Sequence, residues 1–149
     1  MLVKRMSSSS AFVNQDKVNA ARQACKSLVE QSDRNAYILN AFLPPTGRDA
    51  HLALRAFNIQ TAQVADQVSN ASLGRRRLQY WKDAIEGLYT DRGSPEPSMI
   101  LLAALSSRGI RFTKQMLARI PAARVCIYVT RLMFRANISG TSHSLVWQH

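Results

Sequence analysis

Residues 48–69 read RDAHLALRAFNIQTAQVADQVS, and their pattern is the starting point for predicting the fold class. Side chains that can be buried recur there at spacings of three and four residues: Ala53, Phe57, Gln60, Val64 and Val68. Such spacing places them on one stripe of a helix, whereas side chains of a strand alternate between two faces. The stretch therefore predicts a helix from about Arg48 to Val68 with one face against the protein core.

Similar amphipathic patterns lie on both sides of this helix. Ser32 or Asp33 can cap a helix that follows the first one, and Pro44, Pro45 and Gly47 predict a break before the central helix. A last helix begins near Thr113, and Pro121 is expected to end it. We predict an all-α fold of about six helices, covering roughly 15–31, 34–42, 48–68, 74–90, 98–107 and 114–120.

The character of the chain changes after Pro121. Residues 122–149 contain no Asp or Glu, are β-branched in places, and finish in the polar stretch ISGTSHSLVWQH. Neither a clear period nor a clear cap is visible in this part of the chain. We therefore expect three segments: an N-terminal segment 1–14, a helical domain 15–120 and a divergent, irregular tail 121–149.

The N-terminal segment begins MLVKRMSSSSAFVNQ and contains Lys4 and Arg5 but no acid before Asp16. A basic, Ser-rich and acid-free start without a long apolar run is typical of a mitochondrial targeting segment. A disordered tail would have the same composition. Both interpretations of residues 1–14 stay open at this point.

The charge of the chain points to an acidic partner. Twenty Lys and Arg side chains against nine acids give a net charge of +11 over 149 residues. This excess is spread along the chain, which favours an anionic membrane surface over a nucleic acid, whose binding proteins concentrate basic residues in one patch. Two distant cysteines, Cys25 and Cys126, and three scattered histidines give no pattern for a disulfide framework or a metal site.

Three phrases resemble one enzyme family: DRNAYILNAFLP at 33–44, the stretch at 48–69, and LGRRRLQYWKDAIEGLY at 73–89. They are similar to the squalene/phytoene synthase family. Within it, the Ala-Phe-Asn and Ala-Gln-Val-x-Asp phrases look closest to the complex I assembly factor 6 branch. The resemblance implies part of an isoprenoid-synthase-type helical bundle. It spans about two thirds of the chain, weakens after Tyr89 and stops at Pro121, so a truncated family domain is expected.

In the family's enzymes, aspartates on two helices hold magnesium ions that neutralise a prenyl diphosphate. The resemblance places the first set of aspartates at Ala62, Gln63 and Asp66, of which only Asp66 is a carboxylate. The second aspartate-rich helix would lie after residue 120, and the chain has no acid after Glu96. We therefore expect neither catalytic residues nor a metal site or cofactor. Asp66 is either a remnant of the motif or an ordinary acid of the helix surface, solvated or paired with an Arg.

The first hypothesis is a non-catalytic role in the assembly of mitochondrial complex I. The resemblance implies complex I subunits or other assembly factors as partners, and the matrix side of the inner membrane as location. Arg75, Arg76 and Arg77 could contact lipid phosphates or a partner protein. An exposed helix start is the more ordinary explanation, although cations there oppose the helix dipole. The alternative hypothesis is a fragment of a transferase that condenses prenyl diphosphates.

Overall fold

The computed structural model describes residues 15–67, 71–90 and 92–141. All regular structure in these residues is helical, and it forms six helices, as predicted. They are α1 (Gln15–Ser32), α2 (Arg34–Phe42), α3 (Pro45–Gln67), α4 (Ala71–Tyr89), α5 (Pro97–Ser107) and α6 (Lys114–Thr141). The expected targeting segment 1–14 and the end of the chain at 142–149 lie outside the described residues. The division of the chain into three segments stays a prediction.

Helix α5 lies at the centre of the bundle. It packs against α1, α3 and α4, and most of its side chains are buried. Its sequence PSMILLAALSS is apolar almost all round, and a helix of that kind is stable only when other helices cover it on every side. Met99, Leu101 and Leu102 have almost no solvent exposure. Burial of α5 thus supplies much of the apolar area that stabilises the fold.

The stripe predicted on the central helix is the core face of α3. Ala53 and Phe57 are fully buried, Val64 is buried, and Gln60 is half-buried at the edge of the stripe. Val68 lies outside the described residues. This face packs against α1 and α5. The spacing in the sequence therefore identified the core side of the helix correctly.

The connection between α2 and α3 is shorter than the prolines suggested. Asp33 caps α2, and its carboxylate accepts a hydrogen bond from the Ala36 N–H at 3.0 Å. α3 begins at Pro45 rather than near Arg48. A proline at the first helical position loses nothing, because the N–H group there has no partner within the helix. Pro45 thus starts the helix instead of separating two helices.

The expectation that the last helix ends at Pro121 is wrong. α6 continues through this proline to Thr141, so the sequence after residue 121 is helical there and not irregular. The ring of Pro121 is buried, and Val125 packs against the core beyond it. Arg124 donates a hydrogen bond to the side-chain oxygen of Asn58 on α3 at 2.8 Å. These contacts stabilise the helix where the proline removes one backbone hydrogen bond.

Two ion pairs tie the early helices together. Arg22 on α1 donates to both carboxylate oxygens of Asp49 on α3, at 2.8 to 3.0 Å. Arg55 on α3 binds Asp33, the residue that caps α2. Bidentate pairs fix orientation more strongly than single contacts do. α1, α2 and α3 are thus held in register by polar contacts outside the core. None of the described helices combines the length and apolar character needed to span a membrane.

Candidate functional site

A cavity of about 510 Å³ opens between α3 and α4. Its wall combines amide, aromatic and apolar side chains with one acid and one cation. The lining residues are Leu28, Gln60, Gln63, Val64, Gln67, Arg77, Tyr80, Trp81 and Glu96. Volume of this order is enough for a small ligand.

Three glutamines line the α3 side of the cavity. Gln60, Gln63 and Gln67 are three and four residues apart, so the helical period brings them to one face. The buried hydroxyl of Ser98 on α5 donates a hydrogen bond to the side-chain oxygen of Gln60 at 2.7 Å. The amide at position 60 therefore has a structural partner, because it satisfies a hydroxyl that water cannot reach.

Two aromatic side chains form the α4 side. Trp81 is buried and meets the Phe57 ring edge to face, with centroids 5.5 Å apart. Tyr80 packs in the same manner on the other side of Trp81 at 5.7 Å and reaches the rim of the cavity. Partial burial, and then the nearby Glu96 carboxylate, raise the pKa of the Tyr80 hydroxyl. This hydroxyl is therefore a hydrogen-bond donor at neutral pH.

The two charged groups of the lining already have partners. The Glu96 carboxylate accepts a hydrogen bond from the Tyr80 hydroxyl at 3.1 Å and one from the Gln60 amide at 3.4 Å. Arg77 donates to the side-chain oxygen of Gln67 at 2.8 Å. These contacts link α3, α4 and the start of α5 across the cavity.

The positions that correspond to the family's aspartates lie apart in the structure. Gln63 lines the cavity. Asp66 is exposed on α3 and does not belong to the lining, and Ala62 is half-buried. In the described ranges 15–67, 71–90 and 92–141, no group of three or more His, Cys, Asp or Glu side chains could hold a metal ion. The wall supplies one carboxylate, whereas magnesium bound to a diphosphate is held by several.

The three arginines of α4 also separate. Arg77 faces the cavity and is bound to Gln67. All three are exposed in the first turns of the helix, and Arg75 and Arg76 do not belong to the cavity lining. The structure thus splits a run that the sequence presents as one basic cluster.

Several lining residues escaped the reasoning from sequence. Glu96 lines the cavity, and the buried Ser98 binds Gln60, because α5 packs against α3. No local sequence pattern predicts a contact between residues so distant in the chain. The glutamines could have been found, because their spacing puts them on one helix face beside the core stripe. Their amide side chains carry no recognised motif for catalysis.

The family model for squalene/phytoene synthase matches residues 29–125 of the 149. The chain therefore belongs to the squalene/phytoene synthase family. The match extends slightly past Pro121, where the resemblance had been expected to stop. It agrees with α6 continuing through that residue.

Its curated relatives include proteins with one shared description. "NADH dehydrogenase (ubiquinone) complex I, assembly factor 6" from Homo sapiens is 38% identical over 78 residues, which are 52% of this chain and 23% of that protein. The Mus musculus protein is 36% identical over 97 residues, 64% of this chain and 28% of its own. The Drosophila melanogaster homolog is 30% identical over 117 residues, 75% of this chain and 35% of its own. No solved structure matches the chain significantly.

These alignments cover about a quarter to a third of each relative's length. They place this chain within a limited part of those proteins. The family match at 29–125 contains the phrases at 33–44, 48–69 and 73–89 that carried the resemblance. The functions of the whole relatives can be assigned to this chain only by inference.

Proposed function

We propose that the chain acts in the assembly of mitochondrial respiratory complex I and does not catalyse prenyl transfer. Its similarity to relatives described as complex I assembly factor 6 supports the role. The composition of the cavity wall supports the lack of catalysis. The cavity observation carries the most weight, because it concerns the residues of this chain.

The wall has one glutamine at a position where the resemblance implies a carboxylate that holds metal in the family's enzymes. Gln63 stands at one of the family's aspartate positions and faces the cavity, while Asp66 lies outside the lining. An amide oxygen carries no net charge, so it neutralises a metal ion poorly. Glu96, the one lining acid, holds Tyr80 and Gln60. The contacts of the cavity thus brace three helices against one another.

The proposed location is the matrix side of the inner mitochondrial membrane. The composition of residues 1–14 supports mitochondrial import, and the net charge of +11 supports contact with anionic lipids. The proposed partners are complex I subunits or other assembly factors. Arg75 and Arg76, which are exposed on α4, are candidates for contact with a partner or with lipid phosphates.

Complementation tests the role. Cells of the source organism lacking this chain should lose assembled complex I on native gels, and re-expression of the chain should restore it. Re-expressed Gln63→Leu should restore it equally, because the cavity has no catalytic task. Normal complex I in cells lacking the chain would refute the assembly role.

The transferase alternative has one observation in its favour, a cavity in a member of an enzyme family. Incubation of the purified chain with farnesyl or geranylgeranyl diphosphate and magnesium separates the two functions. We expect no condensation product and no release of diphosphate above the level without protein. Product formation that disappears in Gln63→Leu would establish catalysis and overturn the proposal.

A further inference from the structure

Helix α2 presents its largest apolar side chains to solvent. Ile38 is 50% exposed, Leu39 60% and Phe42 81%. The residue that α2 buries in the core is the small Ala36. An amphipathic helix of a globular protein normally has the opposite arrangement, with large apolar groups inside. The outer face of α2, defined by Ile38, Leu39 and Phe42, is therefore an apolar surface that this structure leaves uncovered.

The orientation of α2 is fixed at both ends. At its start, Asp33 caps the helix and is bound by Arg55 of α3. At its end, the Arg48 guanidinium donates to the carbonyl oxygens of Leu43 and Ala41, both at 2.9 Å. Because the polar contacts at both ends select this rotation, the exposure of the apolar side chains is a built feature of the fold.

A further contact secures the end of the helix. The Asn40 side-chain amide donates to the Arg48 carbonyl oxygen at 2.9 Å and lies 3.0 Å from Nδ1 of His51. Asn40 thus joins the inner side of α2 to the first turns of α3. Rotation of Phe42 toward the core would break these contacts.

The charged groups next to the apolar face leave an excess of cations. Residues 34–48 contain Arg34 and Arg48 but no Asp or Glu. Asp49, which follows this range, is paired with Arg22. The neighbouring acid Asp33 is paired with Arg55, and Lys26 lies over the Tyr37 ring, 5.9 Å from its centroid. A short apolar face with cations at its edges is complementary to a surface of acyl chains below anionic phosphates.

We propose that the outer face of α2 docks on an anionic lipid surface. Ile38, Leu39 and Phe42 enter the boundary of the acyl chains, and the cations at the edges contact the phosphates. Arg48 keeps N–H groups for this purpose, because a guanidinium has five. A second copy of the chain is a poorer occupant, since two molecules of net charge +11 repel each other. The proposal deepens the assembly function by naming the membrane-facing side.

Vesicle flotation measures the docking. The chain should float with vesicles of phosphatidylcholine and cardiolipin and should bind far less to phosphatidylcholine alone. The double variant Leu39→Ser with Phe42→Ser should bind the anionic vesicles on the order of tenfold more weakly, because two apolar side chains leave the acyl boundary. Raised salt should weaken binding of the wild type.

The matched control is Met116→Ser on α6, a side chain of similar exposure at 51%. It should bind vesicles as the wild type does. Phe42→Trp gives a second readout that does not depend on weakened binding. On vesicles with brominated acyl chains, quenching should be stronger in this variant than in the wild type, since the added indole enters the quencher layer.

Equal binding of the wild type and the double variant, or no added quenching at position 42, would overturn the proposal. Self-association that the double variant abolishes would assign the face to a second copy. Loss of complex I in cells that carry the double variant, without any vesicle binding by the wild type, would assign it to a protein partner. In that last case the assembly function survives while the lipid proposal fails.

Discussion

The two sides of α3 place different demands on their side chains. The core side, with Ala53 and Phe57, is buried against α1 and α5. The cavity side carries Gln60, Gln63 and Gln67. The core side must exclude water and fill volume, which only a few apolar residues can do. The cavity side is polar, and its amides form hydrogen bonds with neighbouring side chains, as Gln60 does with Ser98.

The largest effect is expected from Phe57→Ala on the core side. Phe57 is fully buried and meets the Trp81 ring. Its truncation should lower the free energy of unfolding by about 3–5 kcal/mol, from lost burial and the cavity left behind. Phe42→Ala is the matched control, since Phe42 is 81% exposed and its loss should change stability by less than about 0.5 kcal/mol. Urea unfolding measures the free energy of unfolding of both variants. Similar losses for the two would contradict the expected difference between a buried and an exposed phenylalanine.

A smaller effect is expected on the cavity side from Gln60→Leu. The variant leaves the hydroxyl of Ser98, which is buried, without its acceptor. An unsatisfied buried polar group costs about 1–3 kcal/mol. Adding Ser98→Ala should recover part of the loss, because the double variant has no orphaned hydroxyl.

The control for this prediction is Gln63→Leu, which should change stability by less than about 0.5 kcal/mol. Equal losses for Gln60→Leu and Gln63→Leu would show that the glutamines act as one set. The cavity side would then have a structural role throughout.

Reasoning from sequence found the core side of α3 and missed most of the cavity. Phe57 and Val64 follow the helical period, and a period can be read without any knowledge of distant residues. Glu96 lines the cavity, and Ser98 binds the lining residue Gln60, because of how α5 packs, and this is a property of the whole fold. The prediction that the last helix ends at Pro121 was wrong for the same reason. The sequence shows the missing N–H group, whereas the burial that compensates for it involves the core and α3.

The family resemblance gave information of a different kind from the helical period of the apolar residues. It correctly indicated the family, because the phrases in 33–89 reflect ancestry as well as local structure. Of the three positions it assigned to the aspartate motif, Gln63 lines the cavity. It could not show that Arg77 separates from Arg75 and Arg76, since a side chain's partner depends on the register between α3 and α4.

The polar ties around α3 should produce a modest dependence of stability on pH. The hydrogen bond from the Ala36 N–H, and then those from Arg55, hold the pKa of the Asp33 carboxyl below its ordinary value. A pKa that folding lowers stabilises the protein above the unfolded value of about 3.9, and this stabilisation is lost as pH falls further. Asp33→Asn keeps a capping side chain but cannot titrate.

Unfolding in urea at a series of pH values measures this effect. The variant should lose less stability than the wild type between neutral pH and about pH 3. Asp83→Asn on α4 serves as control for the change in net charge. If both variants follow the wild-type profile, the contacts of Asp33 do not contribute to the acid sensitivity of the fold.

The mildest test leaves the sequence unchanged and compares the reactivity of its two thiols. Cys25 is buried in the core, and burial raises the pKa of its thiol to about 11. Cys126 is exposed on α6. Because the thiolate is the reactive form, a disulfide reagent at about pH 8 should modify Cys126 quickly and Cys25 only as the fold opens. Labelling should therefore reach one thiol per chain in the native protein and two in denaturant. Fast labelling of both native thiols would mean that the core between α1 and the central helices is loosely packed. In that case Phe57→Ala should lower the free energy of unfolding by far less than it would in a tightly packed core.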